Sequence, residues 1–326
     1  MLISRAPFRI SYVGGGTDFE DYYKYGYGNV ISTAIDKFIY VTINKKFDHK
    51  IYVRYSQREC VNRVADLKHS IVREVLKLHN IENSIEIVTI SDVPSAGSGL
   101  GSSSSLTAAL LAGMARFQGN ELSKYELAEK TCDFEIKLLQ QPIGKQDQFA
   151  VCFGGLNLIT FAANGIIDVL NLTESSDQNR LTWLKSATML FYLNNGRKSG
   201  DILHSHKSSI ETKCNVLDRQ RDLVGYFKRW LEGDYNIAYA GKLVSDSWML
   251  KKAITPQASN DDIDSIIYSA LQAGACGAKV CGAGSGGFMM VICDPQKQDA
   301  VRDTLNVLHE LVFNFEPNGV DVIFES

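Results

Sequence analysis

The chain reads as an α+β protein on three observations. Its N-terminal stretch is dominated by residues that alternate between apolar and polar, a glycine- and serine-rich loop then joins a strand to a helix, and the later strands and helices lack the βαβ rhythm of a doubly wound parallel sheet. A length of 326 residues with 45% hydrophobic content suggests two domains, each able to bury a core.

The elements follow in order. Residues 2–13, 29–44 and 50–55 alternate in the strand manner, with Ile39, Val41 and Ile43 sharing a face. SIEIVTI, 84–90, predicts a further strand. After the stretch PSAGSGLGSSSSL, Leu106, Leu110 and Phe117 recur at helical spacing until Gly119. Ser123 and Glu126 form a capping box for a second helix that runs to about Gln140, short of Pro142. A hairpin-like stretch covers 154–172, and the polar residues 173–182 place a domain boundary that separates 1–180 from 181–326. The second half predicts a strand at TMLFYL, helices over 206–232, 235–253 and 261–273, and strands at AKVC, GFMMVIC and VDVIFE.

Composition excludes several classes of partner. A formal net charge of -3 without a local Lys/Arg run gives no field for nucleic acid, which leaves small molecules. MLISRAPFR lacks an apolar signal core and no run of eighteen apolar residues occurs, so the reading is cytoplasmic with no membrane partner. The seven cysteines contain no CxxC and read as small buried hydrophobes.

The chemistry concentrates in glycine clusters and two carboxylates. In GSGLGSSSS, glycines let the backbone approach a ligand, and successive amides at a helix start favour an anion such as phosphate. A serine hydroxyl there suits either a divalent metal or the helix N-cap, and a plain turn is the alternative. KVCGAGSGGFMM formally contains GxGxxG, yet the apolar run after it is strand-like, so it reads as a strand-to-strand connection and not a dinucleotide fingerprint. YVGGGTDF sets Gly14, Gly15 and Gly16 shortly before Asp18. On a wheel of about 100° per residue, Leu127, Thr131, Phe134 and Leu138 define the inner face of the second helix, and Glu135 falls in the middle of it. Such a carboxylate must find a cation or strong donors, or be protonated; magnesium and a structural Arg or Lys are both open. Asp147 follows twelve residues later in PIGKQDQF, where it reads as a loop residue.

Together these stretches resemble the GHMP kinases. RAPFRISYVGGGTDF looks like that family's first motif, PSAGSGLGSSSS its phosphate-binding second and KVCGAGSGGF its third. The resemblance implies a ribosomal-protein-S5-like N-terminal domain, a ferredoxin-like C-terminal domain, and ATP and Mg²⁺ as cofactors. By the same resemblance Gly97, Ser98, Gly99, Gly101, Ser102, Ser103 and Ser104 would cradle the ATP phosphates, and Ser103 (or Ser102) with Glu135 would hold the metal. Asp147 would orient or deprotonate the acceptor hydroxyl, and Arg9 would stabilise charge on the phosphoryl group. Gly282, Gly284, Gly286 and Gly287 would line the site from the second domain.

The acceptor side departs from galactokinases, which carry a Glu and a His where this chain has Gly15 and Gly16 before Thr17 and Asp18. GGGTD, IGKQDQ and NNGRKSGDIL look most like the bacterial heptose 7-phosphate kinase branch. That likeness implies a sugar phosphate acceptor phosphorylated at the anomeric hydroxyl, with Gly15, Gly16, Thr17, Asp18 and Gly284 at the sugar. Arg197 and Lys198 are then candidates for its phosphate, with Lys145 nearer the reacting end. A free-sugar 1-kinase of the fucokinase type and a nucleotide-binding regulator without catalysis are the rival readings. A homodimer is left open.

Overall fold

Alternation along LISRAPFRISYV produces strand β1 (Leu2–Val13), whose Ala6, Phe8, Ile10 and Tyr12 enter the core while the intervening Arg9 and Ser11 border a cleft. A computed structural model describes residues 1–94, 97–193, 199–210, 212–234 and 236–326. The further strands are β2 (Tyr27–Lys45), β3 (Ile51–Arg54), β4 (Arg58–Val61), β5 (Ile85–Ser91), β6 (Leu156–Ala162), β7 (Ile167–Asn171), β8 (Thr188–Tyr192), β9 (Gly277–Val280), β10 (Phe288–Ile292), β11 (His309–Glu310) and β12 (Asp321–Glu325). The helices are α1 (Glu20–Tyr23), α2 (Ser70–Leu78), α3 (Ser102–Phe117), α4 (Lys124–Cys132), α5 (Gln146–Phe153), α6 (Gln178–Ala187), α7 (Ser199–Ser209), α8 (Cys214–Leu231), α9 (Tyr239–Ile254), α10 (Asp261–Gln272) and α11 (Gln298–Thr304).

Two sheets carry the fold among the described residues. The first runs β12-β1-β2-β5-β3-β4, and the long β2 also pairs through Tyr27–Thr33 with β6, which pairs with β7. Its other half, Ile39–Lys45, pairs with β5, so one strand serves two branches of the sheet. The second sheet, β11-β8-β10-β9, is antiparallel throughout. Strand β10 is buried on both faces: Phe288, Met290 and Ile292 join the main core, while Met289 and Val291 pack with Ile263 and Ile267 of α10. That is why FMMVI is apolar without interruption.

Several expectations shift. The position chosen for the boundary, residue 180, lies within α6, and β12 returns to pair with β1 in the first sheet, so the end of the chain is part of the first layer. The helix expected over 206–232 is two helices, α7 and α8. Helix α4 continues as a π-helical turn over Asp133–Leu138, closed by the Leu139 amide donating to the Phe134 carbonyl at 2.9 Å. Glu135 lies on the inner face and is fully buried, whereas the wider turn rotates Leu138, expected inside, to 51% exposure. Among the described residues no helix is long and apolar enough to cross a membrane.

Helix α8 packs on β1 and β2 of the first sheet and against α9, which reaches β9 and β10 of the second. Phe227 lies between Tyr12 of β1, at a centroid distance of 5.2 Å, and Trp230, at 5.5 Å. The Tyr12 hydroxyl is hydrogen-bonded to that of Thr188 at 3.1 Å, at the start of β8. Phe227→Ala is expected to cost about 3–5 kcal/mol through the cavity it leaves, measured as a lower urea midpoint at unchanged slope.

Candidate active site

The cleft, about 230 Å³, lies where β1, the loop before α3, the start of α5 and the β9–β10 turn converge. Strand alternation aims Arg9 into it. The Arg9 amide donates to the Leu100 carbonyl at 2.9 Å, and its guanidinium donates to the Gly99 carbonyl at 2.7 Å. Two further guanidinium nitrogens donate to the two oxygens of Asp147, at 2.8 and 2.6 Å. Asp147 occupies the first turn of α5, not a loop as its sequence neighbours suggest. A carboxylate is stabilised there by the helix dipole.

The glycine loop approaches the β9–β10 turn so closely that side chains are excluded. Gly99 is left-handed (φ +75°), and a Cβ on it would lie 2.6 Å from the Cys281 carbonyl oxygen. One on Gly282 would lie 2.6 Å from the Gly99 Cα. The second and third glycine clusters are therefore one surface. Helix α3 begins at Gly101 with no side-chain cap, so the serines do not cap it as one reading expected. Instead, Ser98 and Ser102 bond each other at 2.5 Å, and Ser105 donates to the Pro7 carbonyl. The first-turn amides are left for a ligand.

Ser103 and Ser104 donate to Glu135 at 2.5 and 2.6 Å, and the Gln148 side-chain amide adds a third bond at 2.8 Å. Burial pushes the Glu135 carboxyl above its usual range, against the hydroxyl and amide donors that favour the charge. No structural Arg or Lys takes the place of these donors among the described residues. A buried carboxylate flanked by hydroxyls at the edge of a phosphate-type loop is an oxygen donor set suited to a small divalent cation.

On the acceptor side, Asp18 is buried and accepts from the Gly16 amide at 2.9 Å, the Gln146 amide at 3.1 Å and the Gln146 side chain at 3.3 Å. Burial raises its pKa, and the charge of Asp147 adds to the effect. Gly15, Gly16 and Gly284 line the cleft. Thr17 does not: its hydroxyl accepts from the Asn29 amide at 3.0 Å and lies 2.9 Å from the Gly14 carbonyl, which fixes the loop. Lys145 turns outward, its ammonium over the Tyr23 ring and 4.0 Å from Glu20. Its neighbour Gly144 is pressed against Asp18, which leaves the Lys145 side chain the outer face. Arg197 and Lys198 lie outside the described residues. The sequence reading missed Ser11, Gln146, Gln220, Lys251 and Lys279 in the lining; Ser11, Gln146 and Lys279 lie within the motifs, and alternation along β1 places Ser11 beside Arg9, whereas Gln220 and Lys251 lie outside them.

A bidentate Arg–Asp pair beside a glycine loop and an uncapped helix start is an arrangement suited to phosphoryl transfer. Residues 62–155 match the GHMP kinases N terminal domain and residues 236–307 the GHMP kinases C terminal domain. The chain is 30% identical to D-glycero-alpha-D-manno-heptose 7-phosphate kinase of Campylobacter jejuni, over 97% of each chain. It is 26% identical to L-fucokinase/L-fucose-1-P guanylyltransferase of Bacteroides fragilis over 92% of this chain and 35% of that protein. Its fold matches a crystal structure of a D-glycero-D-manno-heptose 1-phosphate kinase from Bacteroides thetaiotaomicron with a TM-score of 0.79, 24% identity and 100% of each chain covered. The chain belongs to the GHMP kinases, with their α+β two-domain fold. It is a phosphotransferase with an alcohol group as acceptor, of a family that takes phosphate from ATP.

The buried Glu135 carboxyl gives a pH signature. With its folded pKa raised, the protonated form is favoured on folding, so its contribution is present at low pH and is lost as the pH climbs from the ordinary carboxylate range through the raised value. In metal-free buffer, Glu135→Gln is therefore expected to gain melting temperature relative to wild type as the pH rises towards neutrality. Parallel melting curves at every pH would contradict this.

Proposed function

We propose that the protein is a sugar kinase that phosphorylates the anomeric hydroxyl of D-glycero-D-manno-heptose 7-phosphate with ATP, giving the 1,7-bisphosphate on a route to nucleotide-activated (GDP-) heptose for surface polysaccharide. The carrying observation is a set of buried oxygens around Gly15 that lack a partner: Ser11 Oγ, Gln146 Oε1 and Gln220 Oε1. An amide oxygen can only accept, and the Gln146 and Gln220 nitrogens, bonded to Asp18 at 3.3 Å and to Ser247 at 2.8 Å, fix which atom faces the cleft. All three residues line the cleft that Asp147 borders. Unpaired buried polar atoms are costly, and a polyhydroxylated molecule supplies donors for the two amide oxygens and a partner of either kind for the Ser11 hydroxyl. The similarity to the Campylobacter jejuni heptose 7-phosphate kinase supports the same substrate class.

In this reading the α3 amides and Gly97, Gly99 and Gly101 receive the ATP phosphates. Arg9 fills one lone pair on each Asp147 oxygen, which fixes the carboxylate and leaves the other lone pairs for the acceptor hydroxyl. Glu135, with Ser103, would hold Mg²⁺, which when bound supplies neutralisation of phosphate charge. Arg197 and Lys198 are proposed for the 7-phosphate, and the division into 1–180 and 181–326 is proposed with them, β12 excepted because it returns to the first sheet.

Asp147→Asn keeps the size and loses the charge. It is expected to lower kcat by two or more orders of magnitude with nucleotide affinity nearly unchanged, read by ADP release and by calorimetric titration. ATP turnover on D-glycero-D-manno-heptose 7-phosphate, mannose, fucose, galactose and mevalonate tests the acceptor. Selective use of the heptose phosphate, with KM raised in Arg197→Ala, is the expected result. Turnover of a free sugar alone replaces the reading with a fucokinase-like 1-kinase, and turnover of none with a nucleotide-binding regulator.

A further inference from the structure

Two lysines from the second half of the chain face the same cleft and have no part in the account above. Lys251 on α9 donates to the Gly282 carbonyl, and Lys279 on β9 donates to the Tyr12 carbonyl at 3.1 Å. Lys279 is 6% exposed and Lys251 partly buried. Each ammonium thus has a neutral acceptor where burial calls for a counter-charge.

Their place is specific. Gly282, which Lys251 holds, lies against Gly99, and the Gly99 carbonyl accepts from Arg9 at 2.7 Å. Lys251 therefore sits beside both the glycine loop and the Arg9–Asp147 pair. Around Lys251 are Arg9 on β1, Asp18 in the loop after it, Asp147 on α5 and the Cys281 thiol. Asp147 is already committed to Arg9, and Asp18 to backbone amides and Gln146. Lys279 faces Lys251, Cys281 and Arg9.

We propose that Lys251 and Lys279 bind phosphate at the transfer point, gripping the γ-phosphate of the nucleotide from the second half of the chain. The inference depends on the kinase reading only in that a nucleotide must enter the cleft. Burial, with Arg9 adding repulsion, pushes Lys251 down to about 8, and burial, with Lys251 adding repulsion, pushes Lys279 down to about 7. An arriving phosphate reverses both effects, and each neutral amine takes a proton from solvent while the phosphate stays ionised. The sign follows: affinity is full below the lower value, and it falls as the pH rises through about 7 and about 8, because binding must then recruit protons.

Calorimetric titration with Mg²⁺–AMPPNP and with Mg²⁺–ADP, from neutral pH upwards in two buffers of different ionisation enthalpy, tests this. Wild type is expected to take up protons with AMPPNP and not with ADP. Lys251→Met and Lys279→Met should each weaken AMPPNP about ten- to a hundredfold, the range for a lost charged hydrogen bond. Retained ADP affinity shows that the variants are folded. Lys279→Arg, whose charge does not titrate, should restore AMPPNP affinity and flatten its pH dependence. Methionine variants that keep the wild-type preference for AMPPNP and its proton uptake overturn the proposal. So does a loss seen only with heptose 7-phosphate in the presence of ADP, which assigns the lysines to the acceptor. The nucleotide titrations stand whichever acceptor the turnover panel selects, so failure of the substrate reading is distinguishable from failure of this one.

Discussion

Arg9 is the constraint on which the site depends. One residue, 3% exposed, bonds the Leu100 carbonyl through its amide, the Gly99 carbonyl through one guanidinium nitrogen and both oxygens of Asp147 through two others. Two segments distant in sequence, the glycine loop and the start of α5, are thereby fixed to one strand. A desolvated guanidinium needs every donor met, and removing one partner of such a buried pair typically costs about 3–5 kcal/mol because the other charge is left unpaired. A lysine would not substitute, since it lacks the planar fork that meets two carboxylate oxygens and a carbonyl together. The geometry of the glycine loop and the orientation of Asp147 are consequently one structural fact.

Around this satisfied pair stand four ionisable groups that burial holds towards neutrality. Asp18 and Glu135 are pushed up and belong to the first half of the chain; Lys251 and Lys279 are pushed down and belong to the second. Phosphoryl transfer relies on positioning and charge stabilisation more than on covalent participation by the protein. A cleft whose charges are underpaired until cation, phosphate and hydroxyls arrive is suited to that task, because each ligand relieves a cost already present in the free protein. The seam between the halves is then functional as well as structural: Tyr12 packs on Phe227 through its ring and receives Lys279 at its carbonyl.

Much of this was legible in the amino-acid order because short-range rules wrote it. Period two in β1 and β2, the capping box at Ser123, the glycine clusters and the Glu135–Asp147 spacing all depend on neighbours in sequence. What failed depended on tertiary context. The π-helical turn at Asp133–Leu138 broke the wheel that put Leu138 inside, and the small α5, started after Gly144 tucks against Asp18, turned an apparent loop into a helix. Lys145 stood between motif residues, yet points to Tyr23. Lys251 carried no local signal, since WMLKKAI is an unremarkable amphipathic segment until α9 is docked on β1 and β9.

Gly15 shows how space itself can be functional. Its neighbour Gly14 is required by the backbone, with φ +89° and only 2.2 Å between a hypothetical Cβ and the Asn29 carbonyl oxygen. Gly15 has no such need: its backbone is ordinary and the nearest atom to a Cβ, on Gln146, is 3.6 Å away. Neither conformation nor packing therefore demands glycine at that position. What a side chain there would occupy is the part of the cleft bordered by the unpartnered oxygens of Ser11, Gln146 and Gln220. Those acceptors select a ligand rich in hydroxyls, and the missing side chain leaves it room; the pairing of open volume with unmet hydrogen bonds is what distinguishes this acceptor pocket from an apolar one of equal size.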